Sequence, residues 1–185
     1  MPVQFGIRLR RPTAGALRPL LEDAEGAALT YGPVGFSGSI VAPSGFRRDH
    51  WVRRLGKGDQ TFGAAVEAIR TWKVHRGAGV VLCVDGPPVV GLVVAMSAPL
   101  PIGYVDAVCR VVAVIEEPDR FGFVYGTLPT HPERGEESSS SRATRTEQST
   151  SRSPRSRSRV THLPGSAHHS PAAFSAARRP AISTQ

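Results

Sequence analysis

The chain has 185 residues, with 23 Lys and Arg against 15 Asp and Glu and only two cysteines. That length holds one ordinary domain plus an appendage, and two cysteines exclude a disulfide-built scaffold. The positive charge is unevenly spread. Residues 1–137 carry 15 basic against 14 acidic side chains, while residues 138–185 carry 8 against 1, so the total for the front part gives no reason to expect a polyanionic partner.

The N-terminus, MPVQFGIRLRRP, has no apolar core of the kind that a secretory signal needs, so a cytoplasmic protein is expected. Residues 1–28 read as an extension of uncertain structure, interrupted by Pro12, Gly15 and Pro19. Within it LRPLLEDAEGAALTY suits a short helix lying on a neighbouring surface. Tyr31–Gly38 has the Gly/Pro punctuation of a loop. Gly45–Leu55 alternates without a clean apolar face, as an edge or half-solvated strand does.

A helix is expected next. Asp59 or Thr61 is placed to cap it, and Phe62, Val66, Ile69 and Trp72 or Lys73 recur on one helical face. Gly77 and Gly79 end it, with Lys73, His75 and Arg76 in the last turn, where positive charge meets the dipole's negative end. From Val80 the period becomes two. VVLCV and VVGLVVAM flank Asp85-Gly86-Pro87-Pro88 as arms of a hairpin. Val105, Ala107, Cys109, Val111, Ala113 and Ile115 share a face of the strongest strand, and after a turn at Glu116–Asp119 the residues Phe121, Phe123, Tyr125 and Thr127 alternate with smaller ones. Cys83 and Cys109 fall in apolar runs and are expected as buried thiols. The 20 uncharged residues between Asp85 and Asp106 are cut by Pro87, Pro88, Pro99 and Pro101, so no membrane span is expected. A helix followed by a meander of strands predicts an α+β fold, an antiparallel sheet with a helix packed on it.

After Glu137 the composition changes within one residue. The last 48 positions contain 13 serines, few large apolar residues and no periodicity, which predicts a disordered tail over 138–185. Two explanations stand side by side. Arg152, Arg155, Arg157 and Arg159 suit phosphate contacts, which makes RNA binding through the tail one reading. The other is a frameshift: back-translated with G/C-ending codons and read one nucleotide early, the tail spells VVVEPRDADGAVHVAVTAFS, a strand, an Asp-Gly turn and a second strand.

WKVHRGAG (72–79) and EPDRFGFVYGTLPTHPERGEE (117–137), with YGPVG near residue 31 and RRLGKGD near residue 53, resemble the uncharacterised domain-of-unknown-function family nineteen-ninety over roughly residues 29–137. The family brings no established activity. Its members continue past the GEE segment with two strands and a basic C-terminal helix. The resemblance therefore implies a fold similar to a helix-grip (START/Bet v-like) architecture, truncated here at its C-terminal end, with a ligand cavity between sheet and helix. Such a truncated sheet would leave an apolar face uncovered and be poorly stable.

Candidate site residues are Tyr125, His131, Glu133, Glu136 and Glu137, with Trp72, His75 and Arg76 across the sheet. A His beside carboxylates is the minimum for acid–base work, although a solvated polar loop accounts for 129–137 as readily. No second His stands at metal spacing from His131, and LGKGD lacks the spacing of a phosphate loop. Neither a metal nor a cofactor is expected. Three functions follow: binding of a small apolar or amphipathic ligand in a sheet–helix cavity, an enzyme using His131 or His75 as acid/base, and RNA binding by the Arg/Ser tail.

Overall fold

The computed structural model describes residues 6–39 and 41–143 and, as backbone, residues 155–162. Expectations that fall elsewhere, including a gripping C-terminal helix and most of the tail, lie outside the described residues. The elements are β1 (Ile7–Arg8), α1 (Arg18–Asp23), β2 (Phe46–Arg53), α2 (Asp59–Arg70), α3 (Lys73–Gly77), β3 (Val81–Cys83), β4 (Val93–Pro99), β5 (Tyr104–Glu117), β6 (Arg120–Thr127), β7 (Gly135–Arg142) and β8 (Arg155–His162). The strands form one sheet in the order β2-β8-β7-β6-β5-β4-β3, with β1 paired to the start of β5. All pairings are antiparallel. This is the α+β class expected from the change of period at Val80. No helix among the described residues is long and apolar enough to cross a membrane.

Alternation along the strands divides the core into two layers, because successive side chains leave a strand on opposite faces. One face carries Val94, Met96 and Ala98 of β4, Val105, Ala107, Cys109 and Val111 of β5, and Phe121, Phe123 and Tyr125 of β6, packed with Ile69 of α2 and with Trp72. The other carries Val81, Cys83, Val93, Ala95, Val108 and Leu128 against Leu17, Leu21 and Ala24 of the N-terminal segment. The short helix expected before Tyr31 therefore exists as α1 and covers the second face. Both cysteines are buried and free.

Polar bonds tie that N-terminal cover down. Arg110, on the second face, donates to the carbonyls of Ala24, Glu25 and Ala27 at 3.2, 2.6 and 2.8 Å, just past the end of α1. Asp106 is buried and accepts from Arg8 Nε at 2.7 Å and Ser97 Oγ at 2.7 Å, so β1 is held by a charge pair as well as by the ladder.

Four local features differ from expectation. Neither Asp59 nor Thr61 caps α2: Gly58 is the cap position, Asp59 already lies in the first turn, and Thr61 Oγ1 donates back to the Lys57 carbonyl at 2.9 Å. The helix does not run on to Gly77 but breaks at Thr71–Trp72, where Trp72 takes a left-handed backbone (φ 61°) and α3 begins afresh. In the β3–β4 connection Val89 and Val90 are exposed and belong to a turn closed by Leu92 N–H on the Val89 carbonyl at 3.1 Å, so the second arm starts only at Val93. In β5 a bulge between Val111 and Ala113 exchanges the faces, and Val114 rather than Ala113 or Ile115 packs against the helix-side core.

The composition break at Glu137 does not end the sheet. Strand β7 runs through Ser138–Arg142, with Ser138, Ser139, Ser140 and Ser141 all buried, and β8 pairs along it. Ser139 stands opposite Phe123, and its buried hydroxyl has no hydrogen-bond partner among the described residues. Such a group costs about 1–3 kcal/mol. Ser139→Val should therefore raise the unfolding free energy by about 1–2 kcal/mol in urea denaturation; a fall would mean that the hydroxyl is satisfied or the space already full.

Candidate functional site

The residues singled out in the sequence separate into four places. Trp72, His75, Tyr125 and Glu137 lie on the helix side of the sheet, all buried. Glu136, one residue away from Glu137 on β7, faces the opposite side. His131 and Glu133 sit in the loop between β6 and β7, and Arg76 lies at the surface with its guanidinium donating to the Thr71 carbonyl at 2.6 Å. The segment 129–137 is thus not a solvated polar loop, for His131, Glu136 and Glu137 are almost wholly inaccessible.

On the helix side the break in the helix does the positioning. A bulky residue with positive φ is sterically unfavourable, by roughly 1–3 kcal/mol, and persists only where its surroundings hold it. Here the indole N–H of Trp72 donates to the Gly86 carbonyl at 2.9 Å, and the ring packs on Phe123 with centroids 4.8 Å apart. The His75 ring lies 5.4 Å from Trp72, stacks on Phe123 at 5.9 Å and approaches Tyr125 at 6.1 Å. Cross-strand register sets Glu137 opposite Tyr125. The result is an aromatic enclosure with an imidazole, a phenol and a carboxylate-bearing residue on one face.

On the other side Glu136 is the centre. Its carboxylate accepts from the Tyr31 hydroxyl at 3.0 Å and from the backbone N–H groups of Gly35 and Ser37 at 2.5 and 2.9 Å. A carboxylate with so little solvent access is tolerable only with such partners. Gly126, the cross-strand partner of Glu136, makes the room: a Cβ there would lie 2.2 Å from the Tyr31 oxygen. Tyr31 and Phe36 then form a small aromatic cluster with edge-to-face rings 5.4 Å apart. The role of Tyr31 escaped the sequence reading. Its signal was the pairing of the YGPVG turn with the glycine in FVYG, which becomes meaningful only when the strands are in register.

The loop residues are locked locally. The Glu133 amide N–H donates to His131 Nδ1 at 2.9 Å, and His131 N–H donates to the Leu128 carbonyl at 2.8 Å. The Glu133 carbonyl also lies 3.0 Å from Nδ1. Because the amide hydrogen is fixed by the backbone, Nδ1 acts as the acceptor and the ring proton belongs on Nε2. At the base of the loop Thr127 Oγ1 meets Thr30 Oγ1 at 2.6 Å and accepts from Gly135 N–H at 3.0 Å, while Arg134 Nε donates to the Thr30 carbonyl at 2.6 Å. Among the described residues no group of three or more His, Cys, Asp or Glu is placed to hold a metal ion.

Comparison with known proteins agrees with the likeness seen in the motifs. A family model described as "Domain of unknown function (DUF1990)" matches residues 30–172, so the match continues past Glu137. A UPF0548 protein of Deinococcus radiodurans is 32% identical over 143 residues, covering 70% of this chain and 71% of the relative. No solved structure matches the chain.

Burial, reinforced by the charge and hydrogen bond of Glu136, pushes the Tyr31 phenol above its ordinary value. In the unfolded chain the phenol loses its proton near pH 10, whereas the folded chain retains it, so the unfolded state binds fewer protons there and stability falls as pH rises. Unfolding free energy should decline above about pH 10, and Tyr31→Phe should flatten that decline while lowering stability at neutral pH by about 1–3 kcal/mol. Parallel alkaline slopes in the two proteins would contradict this.

Proposed function

The chain belongs to the DUF1990 family of domains of unknown function, and on that footing we propose that it binds a small apolar or amphipathic molecule between the sheet and helices α2 and α3. The observation that carries this reading is the left-handed Trp72, which holds an indole against Phe123 and His75 at a sterically unfavourable backbone angle. Strain of that kind gathers where a side chain must be aimed rather than merely buried. Apolar walls with a few convergent polar groups are what a small-ligand site requires. Here the walls are Trp72 and Phe123, and the polar groups are His75, Tyr125 and Glu137. On this reading the sheet and the helices packed on it enclose the ligand, and the protein works in the cytoplasm without a covalent step.

A second reading is favoured by the approach of His75 to Tyr125 on the face that carries Glu137. Imidazole, phenol and carboxylate together can pass a proton, so a bound molecule with an acidic proton would meet an acid–base group in His75. His131, with Nδ1 engaged by the Glu133 amide, is less suited to that role.

The test uses Trp51→Phe, which leaves Trp72 as the sole indole, titrated with an anilinonaphthalene sulfonate. Saturable one-site binding with a change in Trp72 emission is expected, weakened about tenfold or more by His75→Ala while the cooperative melt persists. An unsaturable titration, or equal affinity in both proteins, would dismiss the cavity; a ligand-independent pH titration of the His75 NMR signals would dismiss the proton-transfer reading.

A further inference from the structure

We propose that the exposed end of the sheet, Arg47–Lys57, is a binding surface for single-stranded nucleic acid. The proposal is independent of the helix-side enclosure. This stretch holds Arg47, Arg48, Arg53, Arg54 and Lys57 against Asp49 alone; setting those five and one aside from the 15 and 14 of residues 1–137 leaves ten basic against thirteen acidic. The near-neutral total of the front part thus conceals a segregated charge, a basic edge on an acidic body. Such segregation creates a local field that gathers polyanions.

The cations there are largely unspent. Arg47 is paired with Asp49 at 2.6 Å, and Arg48 donates to the Ser39 carbonyl at 2.6 Å. Arg53, Arg54 and Lys57 form no ion pair among the described residues, although every residue from His50 to Leu55 is exposed. Strand β2 ends the sheet, with β8 on one side and no described strand on the other. Register sets Arg155 opposite Arg53 and Arg157 opposite Trp51.

The choice of partner follows from alternation. Trp51, 43% exposed, shares a face with Arg47, Asp49 and Arg53, whereas Val52, 49% exposed, shares the other with Arg48, His50 and Arg54. A lipid surface needs its apolar side chains on one side, and here they are divided. A half-exposed indole between arginines on an open strand is instead what base stacking with phosphate contacts requires. Side chains on one face recur about every 6.8 Å, a repeat that an extended nucleotide chain can follow. Duplex DNA, by contrast, buries its bases in the stack and offers no base face to an exposed indole.

The experiment is fluorescence anisotropy of the full chain with labelled oligouridine and oligothymidine at several salt concentrations, with duplex DNA and phosphatidylserine vesicles in parallel. Single strands should bind best, with a logarithmic salt slope of about 2 for three free cations. Trp51→Ala should weaken binding roughly 5- to 100-fold, and Arg53→Ser with Arg54→Ser should weaken it and reduce the slope by about 1.4. Trp51→Phe and Arg53→Lys should retain most of the affinity, which separates loss of contact from loss of fold. No binding, a preference for vesicles or duplex, or binding that ignores the β2 variants and disappears on replacing Arg152, Arg155, Arg157 and Arg159 by serine would each overturn the proposal.

Discussion

Strand β7 reads GEESSSSR, two identical acids followed by four identical hydroxyls, and nothing in that pattern tells the strand which face should point where. Slipping a strand by one residue turns every side chain to the opposite face. Hydrophobic alternation normally forbids the slip, and here there is none to do so. The constraint comes from Glu136. Three donors from the Tyr31–Ser37 loop converge on its carboxylate, and the absent side chain of Gly126 provides the space in which the Tyr31 ring meets it. With Glu136 held on one face, Glu137 must face the other, opposite Tyr125.

That pin connects two parts of the molecule that share no residue. The loop around Tyr31 lies on the outer face, and the enclosure formed by Trp72, His75, Phe123 and Tyr125 lies beneath the helices. Both depend on the register of the same strand. Around the enclosure the energetics are those of close aromatic packing. Full burial of each large ring contributes about 1.5–3 kcal/mol, which more than offsets the strain at Trp72. The same packing holds the helix break in place: from its left-handed position Trp72 meets both the Gly86 carbonyl and the Phe123 ring.

The alternating stretches were legible in the sequence. Valine-rich β4 and β5 and aromatic β6 announced the period of two, and Val105–Val111 and Phe121–Tyr125 the face as well, and the amphipathic run from Phe62 announced α2. Where the sequence misled, the missing information was long-range. The break at Thr71–Trp72 has no proline or glycine to signal it, since its cause is the Gly86 carbonyl and the Phe123 ring, fourteen and fifty-one positions further along. The serines after Glu137 have the composition of a disordered segment, yet Ser138–Ser141 are buried between β6 and β8 because a ladder offers the backbone partners whatever the side chains are. The candidate site was legible as a set of residue types. That Glu136 and Glu137 serve opposite faces was implicit in alternation alone, whereas the partner of Glu136 emerged only once Tyr31 was seen in the space left by Gly126.

Cross-strand NMR contacts between β6 and β7 in Glu136→Ala test the register pin most directly. Loss of the carboxylate should give more than one pairing, with the native contacts of Gly126 to residue 136 and of Tyr125 to Glu137 weakened or exchange-broadened. A single, sharp set of the native contacts in that variant would show that the strand finds its register without Glu136.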